Sequence, residues 1–336
     1  MSEYKICEPN DLRRFATEVL AAVGCDHAGA VEMATQIVAS DLAGHESHGV
    51  RRLREYANRV KDGWVDPDSQ PIIDLDNASC VRVDGKRGYG HNVMQFATSL
   101  LIERAKQHGI AAVAVHNCDP AGRFADFCDR AADAGIATYM WMNVSGEAKF
   151  VAPPGALEAR ISTNPIAAGV PRSGGPNLVM DMAISAVAAG RLSDAKERST
   201  PIESDWTNQA GNLLPIGGNK GFVLAVIGEA LAGSLTSAGT VGTEGAEYRQ
   251  GVLAIGIDIE KFRPLMDFEA DVAKFAKYLS DTPTEPGASP IYMPGERTAL
   301  NTQKRAETGI PIHTVIWEQL KELATEFNLE LPKLKA

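Results

Sequence analysis

Apolar residues recur every three or four positions over the first part of the chain, a spacing that predicts amphipathic helices. The first helix ends at Gly24, the second at Gly44, and the third begins after Gly49 and ends at Gly63. No strand-like alternation interrupts them. We therefore expect a helical unit at the start of the chain.

The pattern changes after Pro71, where short apolar runs alternate with helical stretches. Strands are predicted at 72–75, 79–84, 110–115, 136–142, 178–182 and 252–258. Helices are predicted at 91–107, 124–134, 222–235, 267–279, 297–308 and 314–327. The stretch 222–235 is apolar almost all round, which predicts a helix buried among other elements. The simplest architecture is an α/β domain near residues 72–262, with the two ends of the chain meeting as one helical domain.

Composition narrows the class of protein. The chain has 336 residues, 44% hydrophobic and 23% charged, which is typical of a soluble globular protein with more than one domain. A net charge of −10 argues against broad binding to nucleic acid or anionic membranes, because both favour a basic face. No apolar run is long enough to span a membrane, and the N-terminus lacks the apolar core of a signal peptide. Five scattered cysteines without a C-x-x-C pair are typical of a reducing compartment, so we expect a cytoplasmic protein.

Reactive side chains are concentrated in Asp41–Tyr56, where one predicted helix ends and the next begins. His48 lies at this break, and arginines follow it within two helical turns. A proton donor beside a guanidinium suits carbonyl–alcohol chemistry on a 2-oxo or 2-hydroxy acid. The alternative is a capping histidine with solvated arginines. His45 and His48 do not form H-E-x-x-H and no third ligand is evident, so we expect no metal site.

Three further features have both a functional and a structural interpretation. The turn Gly88-Tyr-Gly90-His-Asn-Val93 stands where a dinucleotide-binding loop would stand, but Val93 is bulky and ordinary turn glycines are the alternative. Gly217-Gly-Asn-Lys-Gly221 precedes the apolar helix, where its amides could hold a phosphate. Asp181 lies at the end of an apolar strand, so it either contacts a ligand or belongs to a buried network.

Five motifs, taken in order, resemble the malate/L-lactate dehydrogenase type 2 family. They are Ser47-His48-Gly49 with Arg52-Leu53, Ser162-Thr-Asn-Pro-Ile-Ala167, Asp181-Met-Ala183 with Ser185, Gly218-Asn-Lys-Gly221 and Pro294-Gly-Glu296. The resemblance covers about residues 10–330. It implies a mixed β-sheet wrapped by helices in a non-Rossmann NAD(P)-binding domain at 72–262. It also implies a helical domain built from both chain ends, 1–71 with 263–336, and a homodimer with the active site at the domain and subunit interface.

The resemblance also implies roles for individual residues. His48 would be the proton donor, with Asp181 near both the nicotinamide and the histidine. Ser47 and Arg52 would bind the substrate, with Arg52 anchoring its carboxylate. NAD or NADP would be held by Ser145, Thr163, Asn164, Met180, Asp181, Met182, Ala183, Ser185, Lys220, Gly221, Gly295, Glu296 and Arg297.

One motif departs from the family. Many members carry N-x-x-H-x-G where this chain reads Asn117-Cys-Asp-Pro120-Ala-Gly122, so proline replaces a second histidine. The main prediction is an NAD(P)-dependent oxidoreductase that transfers a hydride between nicotinamide and C2 of a 2-hydroxy or 2-oxo carboxylic acid. A cyclic-imine (ketimine) reductase with the same site is one alternative. A cofactor-binding homologue with lost or altered catalysis, because of Pro120, is the other.

Overall fold

The computed structural model describes residues 3–192, 201, 203–245 and 247–335. The strands within these ranges are β1 (Tyr4–Cys7), β2 (Ile72–Asn77), β3 (Cys80–Asp84), β4 (Ile110–Cys118), β5 (Ile136–Val144), β6 (Ile166–Val170), β7 (Leu178–Met182), β8 (Gln250–Asp258) and β9 (Ile310–His313). The α-helices are α1 (Pro9–Ala22), α2 (His27–Ala43), α3 (Leu53–Lys61), α4 (Gly90–His108), α5 (Ala125–Asp133), α6 (Asn219–Gly228), α7 (Leu265–Ser280), α8 (Glu296–Thr308) and α9 (Thr314–Phe327).

The main sheet is mixed, as predicted. Its strand order is β2-β3-β4-β8-β5-β6-β7 over the described part of the chain, and β3 runs parallel to β4 while the other neighbours are antiparallel. A parallel pair needs a crossover, which α4 supplies. Val113 and Val115 of β4 alternate toward a core that contains Leu101 of α4 and Phe127 of α5.

A second, two-stranded sheet joins the two ends of the chain. β1 pairs antiparallel with β9, with Tyr4 opposite His313 and Cys7 opposite Ile310. The expectation of helices alone before residue 65 is therefore wrong, because a strand precedes α1. Four residues are too few for an alternating pattern to be visible without knowledge of the partner strand.

Side chains from both ends of the chain share one hydrophobic core. Phe15 of α1, Ile37 of α2 and Leu53 of α3 are fully buried there against Trp317 and Leu320 of α9. Each helix contributes one apolar stripe, and packing those stripes together removes them from water. Because α2 and α3 both pack into this core, it fixes the positions of the two helices on either side of the break.

The apolar stretch 222–235 differs from its prediction. The segment forms α6 and then a π-helical turn, Glu229–Ser234. Val223, Val226 and Ile227 are 58%, 48% and 50% exposed, so the predicted burial of this helix is wrong within the protomer. An apolar composition indicates that a surface prefers to be covered, but it does not identify the covering element.

Candidate active site

The break between α2 and α3 is fixed by a buried carboxyl group. Gly44 ends α2 in the left-handed conformation, with φ of 86°, and a short 3-10 turn, Glu46–His48, follows. Asp41 is 2% exposed and accepts a hydrogen bond of 2.8 Å from the Val50 amide. Gly49 lies against the same carboxyl group. Burial raises the pKa of Asp41 to about 8.

His48 is partly buried and lines a cavity of about 780 Å³. Burial lowers the pKa of His48 to about 3, and the positive charges of Arg52 and Arg123 act in the same direction. The imidazole is therefore neutral at pH 7 when the cavity holds no anion. A neutral ring can accept a proton from a hydroxyl group.

Arg52 also lines the cavity, and two of its guanidinium nitrogens are bound to neighbouring protein groups. Its Nε donates to the Ser47 carbonyl oxygen at 2.9 Å, and its Nη1 pairs with Glu55. Glu55 in turn pairs with Arg59 at 2.8 Å, and Arg59 pairs with the buried Asp119. Because these charges alternate, the chain of ion pairs ties α3 to the turn that follows β4 and orients the guanidinium of Arg52.

Asp181 is part of both the cavity wall and a buried network. Its Oδ2 accepts hydrogen bonds from the amides of Phe124 at 2.7 Å and Ala125 at 2.9 Å, where α5 begins. These amides lack partners within the helix, so the carboxylate completes its N-terminus. Burial raises the pKa of Asp181, whereas the two amides and Arg123 oppose that rise. The buried-network interpretation of Asp181 is therefore confirmed, and contact with a ligand stays a prediction for a side chain that lines the cavity.

The cavity gathers part of the predicted site. Its walls come from the end of α2, the turn before α3, the start of α5, β7 and α8, together with two loops near residues 163 and 190. The predicted site residues that line it are Ser47, His48, Arg52, Thr163, Asp181, Ala183 and Gly295. Residues from distant parts of the sequence thus meet around one space.

The other predicted cofactor residues are not among those that line the cavity: Ser145, Asn164, Met180, Met182, Ser185, Lys220, Gly221, Glu296 and Arg297. The side chains of Ser145 and Ser185 donate to backbone carbonyl oxygens of Glu247 and Val187. Asn164 donates to Glu229 at 2.8 Å. Each of these three polar side chains therefore has a hydrogen-bonding role within the protein itself.

A series of backbone hydrogen bonds connects the turn that contains Lys220 to Thr163 in the cavity wall. The Ile184 amide donates to the Thr163 carbonyl oxygen, the Ile216 amide to that of Ile184, and the Gly221 amide to that of Ile216, each at 2.9 Å. A Cβ on Gly221 would stand 2.5 Å from the Ile216 oxygen, so only glycine fits. Glu296 accepts a hydrogen bond from the Met293 amide and pairs with Arg172, so its side chain caps the turn at the start of α8.

The glycine-rich turn at Gly88–Gly90 is covered by the turn that follows β4. A Cβ on Gly90 would stand 1.9 Å from the Asp119 carbonyl oxygen, so the N-terminus of α4 packs directly against the turn after β4. His91 is buried beneath Gly122, whose own Cβ would meet its Nε2 at 2.5 Å. The arrangement favours the turn-glycine interpretation over a phosphate loop.

Sequence reasoning missed several residues that line the cavity, chiefly Arg123, Asp126 and Gly190. Arg123 directly follows the strand–turn segment that ends at Gly122, a position that only the packing of Asp181 against α5 brings into the cavity. Within the described ranges, no group of three or more histidine, cysteine or acidic side chains is placed to hold a metal ion. No described helix is long and apolar enough to cross a membrane.

Comparisons with known proteins find relatives over nearly the whole length of this chain. Residues 7–321 match the family model of malate/L-lactate dehydrogenases. An L-lactate dehydrogenase of Cupriavidus necator is 32% identical, over 95% of this chain and 97% of its own length. The crystal structure of a malate dehydrogenase from Entamoeba histolytica superposes with a TM-score of 0.93 at 26% identity, covering 98% of this chain and 100% of that one. A Δ1-piperideine-2-carboxylate reductase from Pseudomonas syringae superposes with a TM-score of 0.82 at 27% identity, covering 95% and 100%.

Proposed function

The chain belongs to the malate/L-lactate dehydrogenase family, and on that premise we propose that it transfers a hydride between nicotinamide and C2 of a 2-hydroxy or 2-oxo carboxylic acid. It is an oxidoreductase of the 2-hydroxycarboxylate dehydrogenase type. The observation that carries the proposal is the meeting of His48, Arg52 and Asp181 around one cavity. A proton carrier, an anion receptor and a wall of small residues are the parts that this reaction needs.

The cavity fits a nicotinamide cofactor in size and lining. A volume of about 780 Å³ falls in the range of ligand sites. Thr163, Val179 and Ala183 form an uncharged part of the wall. Gly295 lets the start of α8 pack against the chain before β7, since a Cβ there would stand 2.8 Å from the Asn177 carbonyl oxygen. When bound, NAD or NADP supplies or accepts the hydride at the substrate carbon.

His48 would exchange the proton. In the oxidative direction the neutral ring takes the proton of the 2-hydroxyl group as the hydride leaves C2. In the reductive direction the ring must first be protonated. A substrate carboxylate bound to Arg52 would offset a charge that lowers the pKa of His48, so substrate binding itself raises that pKa toward the working range.

Arg52 would bind the C1 carboxylate and so fix the carbonyl group relative to the hydride donor. Its Nε and Nη1 are already engaged with Ser47 and Glu55, which limits the orientations open to the guanidinium. A receptor held in this way loses little side-chain entropy when the substrate binds.

The leading alternative is a cyclic-imine reductase. The similarity to a Δ1-piperideine-2-carboxylate reductase favours it, because the same proton carrier and carboxylate receptor would serve a ring nitrogen in place of an oxygen. A cofactor-binding protein with altered catalysis, suggested by Pro120, is the second alternative.

We further propose a homodimer in which α6 is covered by a second copy of the chain. Val223, Val226 and Ile227 form an exposed apolar face, and Met266 and Tyr278 of α7 are 79% and 74% exposed. Apolar surface of this extent on two helices is typical of an interface. The domain division at 1–71 with 263–336 and 72–262, and a cytoplasmic location, belong to the same proposal.

The test is NAD(P)H oxidation against a panel of 2-oxo acids and cyclic imines. His48→Ala should lower kcat by about 10²- to 10⁴-fold, the usual contribution of a general acid or base. NADH and NADPH affinity, measured by fluorescence titration, should change little. The matched control is His108→Ala, whose side chain is exposed at the end of α4. Full turnover by His48→Ala would exclude the assignment, and activity with imines alone would select the alternative.

A further inference from the structure

A second guanidinium lies in the same cavity as Arg52. Arg123 lines the cavity and is only 8% exposed. It reaches the site from the connection between β4 and α5, whereas Arg52 comes from the start of α3. Both positive charges lower the pKa of His48, and Arg123 lowers that of His45 as well. The proton carrier is therefore approached by arginines from two different elements.

The backbone around Arg123 is held in place. Asp181 accepts from the amides of the two residues that follow Arg123, so the peptide that carries the guanidinium is anchored to β7. Gly122 on its other side is fixed by close packing against the buried ring of His91. A side chain on such a support is positioned with little loss of entropy on binding.

The guanidinium of Arg123 is only partly satisfied. Its Nη2 pairs with Asp126, which also lines the cavity. Nε of Arg123 and Oδ2 of Asp126 are each buried without a hydrogen-bond partner among the described residues. An arginine buried with an unused donor is costly, and such a group at the wall of a cavity indicates a missing anionic or water partner. Burial raises the pKa of Asp126 to about 6.

We propose that Arg123 is a specificity-determining residue that binds a second anionic group at the far end of the 2-oxo acid, while Arg52 binds the C1 carboxylate. This inference rests on the proposed function, since it assumes that the reacting carbonyl lies at His48. Two arginines fixed on different elements can each receive one anion, and a planar guanidinium recognises a carboxylate or sulfonate through paired hydrogen bonds. A 2-oxo acid with a neutral far end would leave Arg123 without that partner.

A phosphate of the cofactor is the other source of an anion for Arg123. The substrate is favoured because Arg123 lines the same cavity as His48 and Arg52, whereas Lys220, the candidate phosphate ligand, is not among the residues that line it. The two sources give different outcomes in the same set of variants, so one experiment separates them.

The experiment compares 2-oxobutanedioate with 2-oxobutanoate, which differ in the far carboxylate and share a four-carbon chain. The wild type should have the higher kcat/KM for 2-oxobutanedioate. In Arg123→Gln the ratio of the two kcat/KM values should fall about 10- to 100-fold, the value of a hydrogen bond between charged groups. Arg123→Lys should restore part of the ratio, because it keeps the charge and loses the planar fork.

Two further variants serve as references. Arg52→Gln should lower kcat/KM for both acids and leave their ratio nearly unchanged, since both share the C1 carboxylate. Arg160→Gln should change neither value, because that side chain is 65% exposed and pairs with Glu158 at the surface. NADH and NADPH affinities of Arg123→Gln, measured by fluorescence titration without substrate, should match the wild type.

Several results would overturn the proposal. An unchanged ratio in Arg123→Gln, or a wild type that prefers 2-oxobutanoate, removes the assignment of Arg123 and leaves the proposed function standing. A tenfold loss of NADH or NADPH affinity with an unchanged ratio would assign Arg123 to a cofactor phosphate instead. A wild type that reduces neither acid nor any other 2-oxo acid refutes the proposed function, and the assignment of Arg123 fails with it.

Discussion

Gly49→Ala is the sharpest probe of how the active-site turn is built. A Cβ at this position would stand 1.8 Å from Oδ1 of Asp41, 2.2 Å from its Cγ and 2.5 Å from Oδ2. The backbone of Gly49, with φ of −86° and ψ of −159°, is open to any residue. The substitution is therefore purely steric, and the carboxyl group of Asp41 must move.

The loss of stability can be estimated from the hydrogen bond and the packing of the Asp41 carboxyl group. To reach ordinary contact the carboxyl group must retreat by about 1.5 Å, which breaks its 2.8 Å bond to the Val50 amide. Because the pKa of Asp41 is raised to about 8, the group is mostly protonated at pH 7, and a neutral hydrogen bond contributes ~0.5–1.5 kcal/mol. Overpacking adds ~1–3 kcal/mol. We expect a loss of about 2–4 kcal/mol in the free energy of unfolding.

Urea unfolding of a double-mutant cycle measures this cost. Asp41→Ala removes all three atoms that the new methyl group meets, so Asp41→Ala/Gly49→Ala should be as stable as Asp41→Ala to within ~0.5 kcal/mol. Gly228→Ala is the control, because its Cβ would meet nothing within 4 Å and the residue ends α6. Turnover of Gly49→Ala should fall about 10²-fold, since the turn carries His48 on one side and Arg52 on the other.

An additive cycle would refute the steric argument. If Gly49→Ala cost the same with and without the Asp41 carboxyl group, the close approach of the two residues would not control the turn. Normal turnover in a destabilised Gly49→Ala would show that the positions of His48 and Arg52 do not depend on this contact.

Three other variants test separate parts of the structure. Asp181→Ala removes the acceptor for two amides at the start of α5 and should lower the free energy of unfolding by about 2–4 kcal/mol. Asp181→Asn keeps one acceptor oxygen and should lower it by less. Equal urea midpoints for Asp181→Ala and the wild type would contradict this expectation. Ile227→Lys should convert the proposed dimer to a monomer in sedimentation velocity, and an unchanged sedimentation coefficient would place the interface elsewhere. Burial lowers the pKa of His91 to about 3 from an unfolded value near 6.5, so this residue costs stability as pH falls from 6.5 toward 3. His91→Gln should therefore lose stability less steeply over that range, by up to about 1.4 kcal/mol per pH unit in urea titrations, and parallel pH curves would exclude the buried neutral ring.

Elements defined by local sequence patterns could be predicted, whereas features that depend on residues distant in the sequence could not. α9 was predicted at residues 314–327 and observed at Thr314–Phe327, because its apolar stripe is a local pattern. β1 was missed because its partner, β9, lies near the other end of the chain. The exposure of α6 was missed because periodicity gives the apolar content of a helix but not its neighbours.

The same distinction applies to the site. His48 was selected as a candidate because it stands among charged residues at a helix break, and Asp181 because a carboxylate in an apolar strand needs a partner; both line the cavity. The family resemblance pointed to Thr163 and Gly295, which line the cavity. Arg123 and Asp126 carry no such signal, since a charged pair at the start of a helix is common on protein surfaces. Only the anchoring of α5 to β7 places them at the cavity.

The pairing of β1 with β9 has a consequence for biosynthesis. During translation, β1 and the first three helices leave the ribosome well before β9 and α9, the elements that complete their sheet and core. The first segment must therefore wait with exposed apolar surface while the main sheet folds, a situation that favours association with chaperones. Because His48 and Arg52 belong to that first segment, we expect activity to appear only after the last helix is released, later than the formation of the main sheet.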